Sequence, residues 1–232
     1  MYSFDGEKID KALEILREQF LFSVWETFYV TVLATLFAFI IGLPIGILLV
    51  TGRKGGIRPL PGWLMQALNV IVNLLRSVPF LILMITVIPL TRLIIGTSVG
   101  TVASIVPLVI AAFPFVARLI EGSLREVDPN IIEMAQSAGA SPAQIVFRVM
   151  IPESVPSLIS NFTIAITTIL GYTAMSAAIG GGGLGKIAIN YGYYRYNYPI
   201  MLLAVAALIV MVQIFQTIGT KLAAVSDKRL KG

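Results

Sequence analysis

The chain has 232 residues, 57% of them hydrophobic and 12% charged, with a mean hydropathy of +0.89 and a formal net charge of +5. Soluble domains carry about 45–50% apolar and about 25% charged residues, so this composition excludes an ordinary water-soluble fold and makes lipid the solvent. Cys and His are both absent, which removes disulfides, thiolate nucleophiles, imidazole bases and the usual zinc ligands; the basic residues are scattered at loop ends, which points to membrane topology and away from nucleic acid.

The first twenty residues are polar and partly acidic, without the basic start and short apolar core of a cleaved signal peptide. Ile9, Leu13, Leu16 and Phe20 recur at helical spacing. Residues 1–22 therefore read as an amphipathic helix lying on the outer surface, with a solvated leader of no particular role as the alternative. A spanning helix needs about 20 mainly apolar residues. The first candidate runs from Trp25 to Val50 and contains Gly42 and Gly46, a pair of small residues four apart that lets another helix approach closely. Pro44 between them removes a backbone donor and predicts a kink.

The second span falls within Leu64–Leu90. Arg76 lies inside that apolar stretch, either facing the protein interior or snorkelling to the headgroups. Pro79 three residues on predicts a broken helix. Further spans are expected at Thr101–Ile120, Val155–Ile179 and Pro199–Leu222. The fold class is an all-α integral membrane protein with about five spans.

Lys and Arg placement sets the orientation. With the N-terminus outside, the inner segments hold Arg53, Lys54, Arg58, Arg118, Arg125, Arg148, Lys221, Lys228, Arg229 and Lys231. The outer segments hold Lys8, Lys11, Arg17, Arg92, Lys186 and Arg195, and the first three of these are offset by neighbouring Asp and Glu. The bias predicts N-out and C-in. The span-end carboxylates Glu26, Glu121 and Glu153 read as interface residues.

The inner segment 121–153 is the most informative part of the chain. Asp128-Pro129 has the form of an N-cap followed by Pro at the first helical position. Ile131, Ile132, Met134, Ala135 and Ala138 then cluster on one face, and Gly139 is placed as a left-handed stop before Ala140. Ser141-Pro142-Ala143-Gln144 restarts a helix with a capping-box pattern. Pro152 is expected to end that second helix just ahead of the fourth span. Two short helices meeting at a bend, with apolar side chains on one face, call for a partner.

Glu133-Met134-Ala135, then Gly139, then Val149-Met150-Ile151-Pro152, resembles the EAA loop of bacterial ABC importer permeases in its spacing throughout. The departures are Met134 for Ala, Val149 for Ile and Ile151 for Leu. Further tracts are similar to the methionine-uptake family of those permeases. They include Arg76-Ser77-Val78-Pro79-Phe80, Ile88-Pro89-Leu90-Thr91-Arg92, Gly171-Tyr172-Thr173-Ala174-Met175, Gly181-Gly182-Gly183-Leu184-Gly185 and Tyr191-Gly192-Tyr193. The resemblance implies one transmembrane domain over 1–232, a homodimer in the bacterial inner membrane, two ATP-binding-cassette subunits and an extracytoplasmic methionine-binding protein. It implies that the loop is a coupling helix contacting the ATPase through Glu133, Ala135 and Gly139. It also implies that ATP and magnesium belong to that partner, leaving this chain without a cofactor, metal or catalytic site. Methionine, in L or D form, is the implied substrate, and another amino acid or small solute is the alternative.

Gly180, Gly185 and Lys186 have most of the spacing of a phosphate-binding loop, but Ile187 stands where Ser or Thr would hold magnesium. The run reads as an adaptable outer turn. Tyr172, Thr173, Met175 and Ser176 just before it either line a translocation path, as the resemblance implies, or pack as ordinary helix. Tyr191, Tyr193, Tyr194, Tyr196 and Tyr198 form an aromatic belt or part of a docking surface. A stand-alone secondary transporter would place ionisable groups deep in the spans, and little beyond Arg76 fits that.

Overall fold

A computed structural model describes residues 6–227; the N-terminal five residues and the tail carrying Lys228, Arg229 and Lys231 lie outside the described residues. The described residues are helical with short connections. In chain order they form α1 (Gly6–Ile15), a π-turn (Leu16–Phe20), α2 (Leu21–Thr51), α3 (Gly62–Ser77), α4 (Phe80–Thr86), α5 (Ile88–Ile95) and α6 (Ile105–Arg125). There follow α7 (Pro129–Ser137), α8 (Pro142–Ile145), a second π-turn (Val146–Met150), α9 (Ile151–Glu153) and α10 (Val155–Ser176). A 3-10 turn (Ala177–Ile179), α11 (Gly183–Lys186), a third π-turn (Ile187–Tyr193) and α12 (Tyr198–Ser226) complete the order.

Among the described residues, four helical stretches are long and apolar enough to cross a membrane: Lys8–Thr51, Ile105–Arg125, Val155–Ile179 and Tyr198–Ser226. The pair α3 and α4, bent by 107°, supplies a fifth when counted as one broken span. The break sits where Pro79 predicts it. Val78 is extended (φ −78°, ψ 129°) and so is Pro79 (φ −55°, ψ 135°), because a residue before proline is driven out of the helical region.

Two expectations need correction. The N-terminal helix is not a separate surface element: it runs through the first π-turn into α2, since neither Gly nor Pro occurs between Glu7 and Ile41 to interrupt it. Its apolar residues divide between packed and exposed positions. Ala12 is buried against Ile187, Ile200 and Ala204, with Ile15 and Phe20 beside them, while Ile9 and Leu13 are exposed. Finally, Pro152 does not end the second loop helix. The π-turn at Val146–Met150 widens the helix just before it, which relieves the usual clash between a proline ring and the carbonyl four residues back. The helical path continues to Ser154.

Two compact units emerge. The first contains residues 6–36, Pro79–Ala111 and Ile166–Phe215; the second contains Phe37–Val78, Ala112–Ala165 and residues 216–227. In the first, Leu170, Leu184 and Met211 form a core flanked by Phe20 and Val24. In the second, α2 packs on α6 through the predicted glycine face. A Cβ on Gly42 would come within 2.8 Å of Val116, and one on Gly46 within 2.8 Å of both the Ala117 carbonyl and Ile120. Pro44 lies on the exposed side, and α2 continues through it without a break.

Candidate coupling segment and polar anchors

The segment after α6 is built by short-range capping. The Asp128 carboxylate accepts from the Asn130 amide at 2.9 Å, with Pro129 at the first helical position. This satisfies one of the donors a helix start leaves open. At the other end Gly139 adopts φ +78°, and Ala140 donates its amide to the Ala135 carbonyl at 3.1 Å. Ser141 then forms a complete capping box: its hydroxyl accepts from the Gln144 amide at 3.3 Å and its own amide donates to the Gln144 side chain at 2.8 Å. Caps and bend thus form as the residue types require.

The apolar face of α7 divides. Ile131, Ile132 and Ala135 are half-buried, and Ile132 lines a hollow of about 170 Å³ with Val50, Leu124, Val127 and Met150. Met134, 67% exposed, points away with Ala138, Glu133 is exposed at the rim of the hollow, and Phe147 in the π-turn beyond α8 is exposed as well. One side of α7 is seated on its own chain. The other presents the Met134 thioether, with the Glu133 carboxylate at the edge between the two sides. Arg53 and Arg125 share the rim of the hollow with Glu133.

The candidate path residues fall into two groups. In the first unit, the break at Pro79 brings Phe80 flat against Tyr172 of α10, with ring centroids 4.0 Å apart and planes 10° apart. Met175, one turn further on, is exposed. Ser176 is not on that face: it is 1% exposed and its hydroxyl donates to the Thr173 carbonyl at 2.7 Å. In the second unit, Ser77 donates its hydroxyl to the Asn73 carbonyl at 2.8 Å. Arg76 is exposed in the last turn of α3, where a cation is favoured by the helix end. Phe80 carries no sequence signal beyond its place after Pro79.

Two polar anchors were not legible in the sequence. In the first unit the Glu26 carboxylate accepts the Thr101 hydroxyl at 2.5 Å and the Gly183 amide at 2.9 Å, while Thr27 accepts the Leu184 amide at 2.8 Å. In the second unit Glu121, buried, is paired with Arg118 at 2.6 Å and Arg125 at 2.5 Å. Glu26 and Glu121 are therefore not interface residues but internal hubs, as an apolar solvent demands of polar groups. Glu153 is exposed.

The first anchor also decides the glycine run. Gly181 donates its amide to the Ser176 carbonyl at 3.0 Å, and the amides of Gly183 and Leu184 are held by Glu26 and Thr27. The donors that a phosphate loop turns to its ligand are here bonded within the protein. Among the tyrosines, Tyr191 donates to Gln19 at 3.2 Å and lies under Arg195 at 4.7 Å, while Tyr193, Tyr194 and Tyr196 are exposed.

Comparison with known proteins agrees with this architecture. The model of the family described as "Binding-protein-dependent transport system inner membrane component" matches residues 42–232. The chain is 48% identical to a probable D-methionine transport system permease protein of Vibrio cholerae over 89% of its length and 92% of that protein's. It is 45% identical to the D-methionine transport system permease protein of Escherichia coli K12, over 66% and 70%. Among solved structures it is similar to a chain of the MetNI methionine ABC transporter in inward-facing conformations, at TM-score 0.90 and 40% identity over 93% of this chain and 99% of that one. A second crystal form of that transporter gives TM-score 0.86 and 42% identity over 88% and 94%. The chain has several helices apolar enough to cross a membrane, as a multi-pass protein does, and it belongs to the family of binding-protein-dependent transport system inner membrane components.

Proposed function

We propose that this chain forms the translocation path of an ATP-driven methionine importer and leaves ATP hydrolysis to a partner. The observation that carries the reading is the segment from Asp128 to Pro142. It is capped at both helix starts, bent at Gly139, seated by Ile132 and Ala135, and leaves Met134 and Ala138 outward with Glu133 exposed at the rim. A solvated loop has no need of such construction. A surface that must transmit movement to a docked subunit does.

In this reading the whole chain is one transmembrane domain, N-out and C-in, in the bacterial cytoplasmic membrane. Two copies assemble with two ATP-binding-cassette subunits, which hold the ATP and magnesium, and an extracytoplasmic binding protein delivers methionine in L or D form. Closure of the ATPase pair on ATP shifts the loop 121–153, and the two copies alternate between inward- and outward-open arrangements. The substrate needs only a differential fit to those states. Tyr172 and Met175 on α10, with Arg76, Ser77 and Pro79 around the break, line the path; Ser176 supports it from inside. The choice of methionine is supported by the names of the relatives.

The test is uptake of radiolabelled methionine into proteoliposomes containing this chain, the ATPase subunits, the binding protein and ATP. The reading predicts uptake that needs all of them. Uptake that persists without the ATPase would make the chain a stand-alone transporter and overturn it.

A further inference from the structure

The second unit contains a charged group that the function proposed above does not use. Arg118 lies in the C-terminal half of α6, a helix long and apolar enough to cross a membrane, with its side chain 20% exposed and that of Glu121 7% exposed. Its guanidinium makes three bonds. One nitrogen donates to Glu121 at 2.6 Å, and the other donates to Asn69 at 2.9 Å and to Asn73 at 2.8 Å. Asn69 and Asn73 are one turn apart on α3, so a single fork grips two successive turns of the neighbouring helix. Asn69 is itself oriented, donating its amide to the Met65 carbonyl at 2.8 Å. Glu121 is held from its other oxygen by Arg125.

Two facts make this more than a packing device. α6 leads within three residues into the Asp128 cap of the coupling segment, and α3 ends two residues before the Pro79 break. The Arg118 fork is thus a charge-assisted link between the helix that receives the movement and the helix that carries the break. On its other side α6 is tied to α10 by Ser123, which accepts from Asn161 at 2.7 Å and from Ser157 at 3.1 Å. α3 has its own polar tie to α6, in addition to that between α6 and α10. Separating α3 from α6 leaves the Arg118–Glu121 pair in place but removes both amide acceptors from a partly buried guanidinium nitrogen, so the made state of the fork is favoured over a partly opened one.

We infer that Arg118 is a positioning residue whose fork to Asn69 and Asn73 couples displacement of the loop 121–153 to α3, and so sets how much substrate moves per ATP hydrolysed. The inference rests on the importer reading. It is distinguishable from it, because wild-type protein must first show ATP-dependent uptake with the ATPase bound.

Two variants act in opposite directions. Asn69→Ala with Asn73→Ala removes both acceptors on α3 and leaves the Arg118–Glu121–Arg125 pairs in place. Asn73→Asp adds a carboxylate opposite the fork and tightens it. Coupling free energies in proteins correspond to about 5- to 150-fold effects. The double variant is therefore expected to lose at least about fivefold in methionine imported per ATP, with its ATPase rate unchanged or raised. Asn73→Asp is expected to lose uptake and ATPase rate together while its complex melts no lower than wild type. Arg118→Lys, which keeps the charge but not the planar fork, should sit with the double variant. If the double variant keeps the wild-type ratio, the inference is overturned. Should that variant not assemble, Asn73→Asp decides alone: wild-type turnover overturns the inference, and a thermally stable but slowed transporter supports it.

Discussion

Gly139 offers the sharpest test of how the coupling segment is built. Its φ of +78° lies in the left-handed region, which costs a residue with a Cβ about 1–2 kcal/mol relative to glycine. Nothing lies within 4 Å of where a Cβ would be, so the cost is one of backbone conformation and not of collision. That separates two explanations usually confounded at a glycine. Asn tolerates the left-handed region, Ala does so poorly, and β-branched Val worst of all. If the bend must be in place for the ATPase to dock, 1–2 kcal/mol translates into about 5- to 30-fold weaker association. The assay is co-purification of the ATPase subunits on a tagged chain, titrated against ATPase concentration, with membrane insertion followed in parallel. Retention is expected to fall in the order Gly, Asn, Ala, Val, with insertion unchanged. Equal retention in all four would refute the account of the bend. Loss at Asn as deep as at Val would show that bulk outside the chain, not the dihedral, is what matters.

Other substitutions test neighbouring parts of the argument. Ser141→Ala removes the hydroxyl half of the capping box and is expected to cost about 0.5–2 kcal/mol locally, read as faster hydrogen exchange at the Gln144 amide. Gly46→Leu forces a side chain against the Ala117 carbonyl and Ile120, and is expected to cost about 1–3 kcal/mol or to prevent folding; thermal unfolding in detergent measures it, and a wild-type melt would contradict the close packing of α2 on α6. Glu26→Ala leaves the Thr101 hydroxyl and the Gly183 amide without their acceptor, at about 1–3 kcal/mol each. Glu26→Gln keeps an acceptor and should be milder, so equal losses would argue against the anchor.

The parts of the fold legible in the sequence are those whose determinants lie within a few positions. Asp128 bonds two residues on, Ser141 and Gln144 are three apart, and Gly139 needs only its own backbone. The glycine pair in α2 was readable because the spacing of four is itself the signal. Pro79 was readable because it acts on its own neighbour. The anchors were not, for the opposite reason. Glu26 meets Gly183 157 positions away, and Arg118 meets Asn69 49 positions away. No spacing rule connects such residues, and each alone is consistent with a charge at a span end. Pro152 misled because a π-turn, which has no clear residue signature, absorbs the proline that would otherwise stop the helix. The N-terminal helix misled because a π-turn without a residue signature joins it to α2, and nothing in the sequence marks that junction as continuous.

The central claim is that the outward side of α7 is covered by an ATP-hydrolysing partner, and the absence of native cysteine makes it directly measurable. A single cysteine at Met134→Cys, 67% exposed in this chain, can be labelled with a maleimide before and after assembly with the ATPase subunits. Tyr194→Cys serves as the control, because the proposed orientation puts it across the membrane from the ATPase. The account predicts that assembly protects the Met134 position and leaves the Tyr194 position unchanged. Labelling at Met134→Cys that proceeds equally in the isolated chain and in the transport-competent complex would contradict it.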